Sequence, residues 1–149
     1  MLEFGAPRPG LAYRDRNAAF GVAADRHGQV ALVQVRRPGE APYFDLPGGA
    51  VEGAESEAEA LAREFVEETG LVVAVGAAIV RVAQPFLKSD GEPVRNFGGV
   101  YAVTVTGEAP GLKIEDDHAL VWLDPRDAVV ALRHDAHAWA VAAWMRAGG

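Results

Sequence analysis

The sequence predicts an α/β fold, a mixed β-sheet flanked by helices on both faces. Three observations lead there. Apolar runs of strand length lie before, around and after one sharply marked helix, two more helical stretches close the chain, and the composition is that of a folded protein. Of 149 residues, half are hydrophobic and 23% charged, which suits one domain with its own core. Residues 1–16, with Pro7, Pro9 and three arginines, read as an irregular lead-in, leaving residues 17–149 as a single domain.

The elements follow in order. Ala18 to Ala24 and Gln29 to Val35 are short apolar runs separated by Asp25-Arg26-His27-Gly28, which reads as a hairpin of two antiparallel strands. After Pro38, Gly39 and Pro42, the segment Tyr43 to Leu46 is a strand that enters a Pro47-Gly48-Gly49 loop. Ser56 to Thr69 is the clearest helix. Ser56 is its candidate N-cap, Glu59 the capping-box partner and Gly70 the stop, while Ala58, Leu61, Ala62 and Phe65 have the spacing of a buried face. Val72 to Val82 and Phe97 to Thr106 are long strands joined by a loop with Pro85, Asp90, Gly91 and Pro93. An acidic irregular stretch, Glu108 to Asp117, precedes a strand from Ala119 to Leu123. Helices from Asp124 or Pro125 to Leu132 and from Asp135 to Arg146 complete the chain.

Charge and composition exclude several classes of function. Fourteen Lys and Arg stand against 21 Asp and Glu, a net charge of -7 that disfavours broad attachment to a nucleic acid polymer or an anionic membrane. With no cysteine, thiolate metal sites and cysteine nucleophiles are out, and a reducing, cytoplasmic setting is the default. No stretch has the length and apolarity of a membrane span.

The chemistry concentrates around the first helix. Glu64, Glu67 and Glu68 stand at i, i+3 and i+4, so their like charges converge on one side, at a cost of about 0.2 to 0.5 kcal/mol per pair. A positive partner should offset that, and oxygen donors at this density suit a hard divalent cation such as Mg2+. Gly48 and Gly49 let the backbone come close to such a site. Glu55 is eight positions before Arg63, where it can orient that arginine, and Arg63 can hold one of the glutamates.

Gly49, Glu55, Arg63, Glu64, Phe65, Glu67, Glu68, Gly70 and Leu71 match every defined position of G-x5-E-x7-R-E-U-x-E-E-x-G-U, with U a bulky apolar residue. In this motif the chain resembles the Nudix hydrolase family, in particular its small bacterial MutT-like members. The resemblance implies a Nudix-type α/β/α sandwich. It also implies a Mg2+- or Mn2+-dependent pyrophosphohydrolase that cleaves a diphosphate bond in a nucleoside diphosphate linked to another group by metal-activated water. The substrate would be a nucleoside triphosphate, an oxidised deoxynucleotide or a nucleotide sugar. By position, Glu64, Glu67 and Glu68 would be metal ligands, the Gly48 carbonyl a further ligand, and Arg63 with Glu55 a supporting pair. The general base would be Glu64, Glu68 or one of Glu115, Asp116 and Asp117. The other reading is a Nudix-fold nucleotide-binding or regulatory module with little turnover. Either would work as a monomer or homodimer on a small nucleotide.

Outside the motif, Arg36 and Arg37 lie where MutT-type relatives place an arginine on the substrate, and Asp116 and Asp117 lie where some relatives read a purine base. Glu57 and Glu59 read as solvent-facing acids, and Glu68 as exposed. Pro85 and Phe86 read as turn and core residues, His134 and His137 as packing or capping groups, and Trp139, Ala140, Ala143 and Trp144 as the face that seats the last helix.

Overall fold

The computed structural model describes all 149 residues. The strands are β1 (Leu2–Glu3), β2 (Arg14–Ala23), β3 (Val30–Val35), β4 (Tyr43–Asp45), β5 (Gly48–Ala50), β6 (Leu71–Leu87), β7 (Pro93–Glu108) and β8 (His118–Leu123). The helices are α1 (Glu57–Thr69), α2 (Pro125–Ala131) and α3 (Asp135–Arg146). The β-structure divides into a five-stranded mixed sheet, in the order β1-β6-β7-β2-β5, and a three-stranded antiparallel sheet, β4-β3-β8. β2 runs parallel to β7 and antiparallel to β5, and β1 runs parallel to β6.

The layering follows from strand alternation. On β2, Ala19 and Ala23 join the core cluster containing Leu61 and Phe65 of α1, whereas Val22 belongs to the cluster with Ala136, Ala140 and Val141 of α3. On β3, Ala31 goes to the α1 side and Val30 and Leu32 to the α3 side. Both faces of these strands are therefore buried, and the result is an α/β/α sandwich. Double burial also explains why the expected hairpin fails. The Asp25 turn forms, with the Asp25 carboxylate accepting from the His27 and Gln29 amides. Yet β2 and β3 enter different sheets and share one isolated bridge, Ala24 to Val30.

Other expectations shift locally. Leu2 and Glu3 pair with Val82 and Ala83, and β2 starts at Arg14, so the first 16 residues are not wholly irregular. The glycine loop is in part a strand, with Gly48 to Ala50 paired to β2. Pro85 lies inside β6 rather than in a loop, opposite Arg95 of β7. It is tolerated because the Ala83 carbonyl, two residues earlier, points outward to Phe4. By the same parity the missing N–H of Pro85 faces the outer edge, beyond the end of β1.

α1 carries the expected caps. The Ser56 side chain accepts from the Glu59 amide, Glu59 answers on the Ser56 amide, and Gly70 closes the helix at φ 76°. Its buried residues are Ala60, Leu61, Phe65, Glu68 and Thr69. Ala58 is exposed and Ala62 half-buried. The buried stripe thus runs through Leu61, Phe65 and Glu68, at i, i+4 and i+7, and takes an acid into the interior. α3 seats on the sheet through Ala136, Ala140 and Val141, with Trp144 against the same core, while Trp139 remains 44% exposed beside Phe4. No helix is long and apolar enough to cross a membrane.

Candidate active site

The C-terminal half of α1 lies against β5, and their junction forms one wall of an open cleft of about 280 Å³. Gly48, Gly49, Glu64 and Glu68 line that wall. Gly48 has φ 145°, and a Cβ on it would run into the Ala19 carbonyl and Phe20. A Cβ on Gly49 would sit 2.8 Å from the Glu64 carboxyl carbon. The glycine pair is what lets the two carboxylates reach the strand edge.

Glu68 is 6% exposed. One of its oxygens accepts from the Gly48 amide at 2.9 Å and the other faces His118 Nε2 at 3.2 Å. Gly48 therefore meets the acids through its N–H. Burial pushes the Glu68 carboxyl up, against the opposing pull of His118 and the Gly48 amide. Burial would likewise lower His118, but Glu68 and then Asp117, 2.7 Å from His118 Nδ1, outweigh it and hold the imidazole up at about 9. The expectation that Glu68 is exposed fails because it lies on the stripe that α1 buries.

Glu64 is pushed up to about 7, first by burial and then by the charge of Glu68, against the favourable pull of Arg63. Its Oε1 accepts from Arg63 Nη1 at 3.0 Å. Its Oε2 accepts no hydrogen bond. Arg63 spends all its donors on the wall: Nε and Nη2 on Glu55 at 2.7 and 3.0 Å, Nη1 on Glu64 and on Glu67 at 3.2 Å, and Nη2 on the Ala50 carbonyl at 3.1 Å. The hydrogen bond to Glu55 is the main reason its guanidinium is held further toward the charged form. Glu55 and Arg63 are thus joined as the sequence suggested. Glu67 meets the group through Arg63 and does not line the cleft.

Elsewhere the cleft lining is cationic, with Arg16, Arg37, Lys88 and Arg133 alongside Phe20, Tyr43 and Phe86. Arg37 donates to Asp117 at 2.9 Å and to the Tyr43 hydroxyl at 2.9 Å. Arg133 pairs with Asp45 at 2.8 Å and stacks 3.7 Å over the Tyr43 ring. Lys88 pairs with Glu92 at 3.2 Å.

The remaining candidates separate. Arg36 is exposed and absent from the cleft, whereas Arg37 lines it. Alternation along the chain end of β3 turns the two arginines opposite ways. Asp116 is exposed, and Asp117 lies behind Arg37 and His118 rather than on the cleft surface. Glu115, Asp117 and His118 bring one potential ligand atom each within 4.8 Å of one another. Glu57 is not a solvated acid: it accepts from Arg81, the Gly99 amide and the Tyr101 hydroxyl. His134 and His137 are buried and neutral, lowered by burial to about 4 and about 3. His137 Nδ1 accepts from the Leu46 amide at 3.2 Å, and its ring lies against Phe20.

His118, Arg16, Lys88, Asp45 and Arg133 were missed by sequence reasoning. His118 directly follows the acidic pair already singled out. Arg16 shares the parity of Ala18, Phe20 and Val22, which extends the strand pattern two residues toward the N-terminus.

This arrangement, a box of acids and an arginine wound on one helix against a double-glycine strand, is matched by family comparison. The sequence profile of the NUDIX domain covers residues 14–145, and the chain belongs to that family. A Bacillus subtilis (strain 168) protein named "Putative 8-oxo-dGTP diphosphatase" is 36% identical over 98 residues, 64% of this chain and 62% of that one. A Mycobacterium tuberculosis (strain CDC 1551 / Oshkosh) protein named "Putative 8-oxo-dGTP diphosphatase 2" is 38% identical over 90 residues, 60% of each chain. The match therefore spans about three fifths of these relatives. Among solved structures, a NUDIX hydrolase from Nitrosomonas europaea superposes with a TM-score of 0.71 at 19% identity, covering 90% of both chains. That likeness concerns the fold.

Proposed function

We propose that the protein is a divalent-metal-dependent pyrophosphohydrolase that cleaves a phosphoanhydride in a nucleoside diphosphate linked to another group. The observation that carries this reading is the two-sided cleft. Buried Glu68 and half-buried Glu64 share with Arg16, Arg37, Lys88 and Arg133 a cleft lined by only four hydrophobic residues. The acids alone would repel a phosphate; a cation between them and the substrate removes that conflict.

The donor set fits such an ion. Glu64 and Glu68 offer hard oxygen ligands, and the Glu64 carboxylate lies so close to Gly49 that a Cβ there would displace it. Mg2+ or Mn2+ would be held by Glu64 and Glu68, with the Gly48 carbonyl as a further ligand and Glu67 supporting the set through Arg63. When bound it would supply Lewis-acid activation of water and neutralise charge on the phosphate oxygens. The chain's own residues do the rest. Arg63, fixed by Glu55, holds Glu64 in place. His118 and the Gly48 amide hold Glu68. The base that takes the proton of the attacking water is Glu64, whose Oε2 has no donor, since both Glu68 oxygens are engaged and Glu115, Asp116 and Asp117 do not line the cleft. Arg37 and Arg133 orient the phosphates or base elsewhere in the cleft.

We read the chain as one catalytic domain that takes in β2 from Arg14, cytoplasmic, working on small nucleotides as monomer or homodimer, without a nucleic acid polymer or membrane. The names of the two relatives put 8-oxo-dGTP first among substrates to try. The test is a steady-state panel with Mg2+, comparing 8-oxo-dGTP, the ordinary nucleoside triphosphates and nucleotide sugars, with identification of products. Release of a nucleoside monophosphate from one of these supports the reading. Tight nucleotide binding with no release in single turnover would replace it with a binding module.

A further inference from the structure

We propose that Arg16 is a substrate-binding residue that takes a phosphate group of the substrate's polyphosphate chain, at the rim of the cleft that holds Glu64 and Glu68. The inference rests on the hydrolase reading for the identity of the substrate, though not for the existence of the anion site.

Four arginine and lysine side chains line the cleft. Arg37 is paired with Asp117, Arg133 with Asp45, and Lys88 with Glu92. Arg16 has no carboxylate partner. Its only side-chain hydrogen bond is from Nε to the Asn96 Oδ1 at 2.8 Å, which leaves both terminal nitrogens without a protein acceptor. The residue is nevertheless half-buried and fixed in place. Asn96 lies directly opposite it on β7, and its guanidinium sits 5.9 Å from the Phe86 ring centroid. A half-buried guanidinium without a counterion is costly unless an anion arrives. Phosphate suits its fork of donors.

Its position relative to the carboxylates is set by strand register. Arg16, Ala18 and Phe20 share one face of β2, with Ala18 opposite Ala50 and Phe20 opposite Gly48. Arg16 is three residues along from Ala19, the partner of Gly49, and so about 10 Å up the strand. An arginine side chain closes most of that distance, which leaves room for a neighbouring phosphate and not for a whole nucleoside. A cation held by Glu64 and Glu68 and the guanidinium of the rim would thus serve neighbouring phosphates. The expected consequence is a preference for substrates whose chain extends beyond the attacked phosphate.

The experiment is a calorimetric titration of the full-length protein with inorganic tripolyphosphate in Mg2+, alongside kinetics on the best nucleotide. Arg16→Ala should weaken tripolyphosphate by about 10- to 100-fold and raise KM with kcat nearly unchanged. Arg16→Lys should recover part of the loss. Arg146→Ala, an exposed charge on the last turn of α3, should bind like wild type. Thermal melting of each variant separates binding from folding, and Arg16→Lys decides the matter if Arg16→Ala does not fold. Wild-type affinity in Arg16→Ala, or no tripolyphosphate binding by wild type at millimolar concentration, overturns the proposal. Weakened binding in a protein that turns over no nucleotide would uphold the phosphate site and remove the hydrolase reading. Turnover with KM untouched in Arg16→Ala would do the reverse.

Discussion

The α1 wall of the cleft and the rest of its lining handle charge in opposite ways. On the α1 wall every hydrogen-bond donor of Arg63 is engaged, by Glu55, Glu64, Glu67 and the Ala50 carbonyl. Elsewhere in the lining Arg16 holds one amide oxygen and otherwise presents bare donors to the cleft. The same side-chain type is a strut in one place and a hand in the other. A saturated guanidinium can only position its neighbours, whereas an unsaturated one is available to a ligand. The histidines repeat the contrast. His118 is charged between Glu68 of α1 and its own neighbour Asp117, while His134 and His137 stay neutral among the rings of Phe86 and Phe20.

The largest effect should come from the acids that face the cleft. Glu64→Gln should lower turnover by about two to four orders of magnitude, by removing both a cation ligand and the base. Chemical denaturation should show the fold retained, since the change relieves a like-charge pair. Glu68→Gln should also abolish turnover but lower stability too, because it removes the partner of a charged, half-buried His118. A variant of either kind with near wild-type turnover removes the carboxylates from the chemistry.

A smaller loss is expected from the strut. Arg63→Ala should reduce activity by about 10- to 100-fold, the usual range for residues that hold ligands in place. Arg63→Lys should rescue little, since one ammonium cannot reach Glu55, Glu64 and the Ala50 carbonyl together. If lysine restores full activity, charge alone suffices and the fork geometry is irrelevant.

The histidine contrast predicts opposite pH dependences of stability. His134 and His137 have folded values of about 4 and about 3, below the ordinary 6.5. The unfolded chain therefore takes up protons that the folded chain refuses as pH falls below 6.5, and stability declines from there toward pH 4. His118, held at about 9, has the reverse sign: its contribution is present below 6.5 and is lost as pH rises through 9. Glu64, raised to about 7, and the raised Glu68 oppose the two neutral histidines on the acid side, so urea midpoints measured without added metal should fall more steeply below pH 6.5 in Glu64→Gln than in wild type. His134→Phe should flatten the acid side only. The least effect belongs to Arg81→Ala, an exposed partner of Glu57, which should cost less than about 1 kcal/mol because the Gly99 amide and Tyr101 hydroxyl still hold the acid.

Much of this was legible in the chain itself. The α1 caps, the last two helices and the acids with their arginine all follow from local spacing, which a single helix preserves in space. What spacing could not convey was which side of α1 is buried: an acid at i+7 from Leu61 reads as solvent-facing until a histidine from β8 is brought beside it. The hairpin reading of β2 and β3 failed for a related reason, since apolar runs buried on both faces do not reveal which sheet they join. Arg16 lay in a segment rich in proline and charge, where its strand parity was hidden by reading the strand as starting at Ala18. Long-range pairs such as Arg37 with Asp117, or Arg133 with Asp45, depend on β4, β8 and α2 meeting, and no local pattern announces them.

The central claim is that Glu64 and Glu68 form a divalent-cation site. Calorimetric titration of Mg2+ and Mn2+ into wild type, Glu64→Gln and Glu68→Gln tests it without any substrate. The account predicts saturable uptake by wild type and at least about a tenfold weaker affinity in each variant. Equal uptake in all three proteins, or none in wild type, would contradict it.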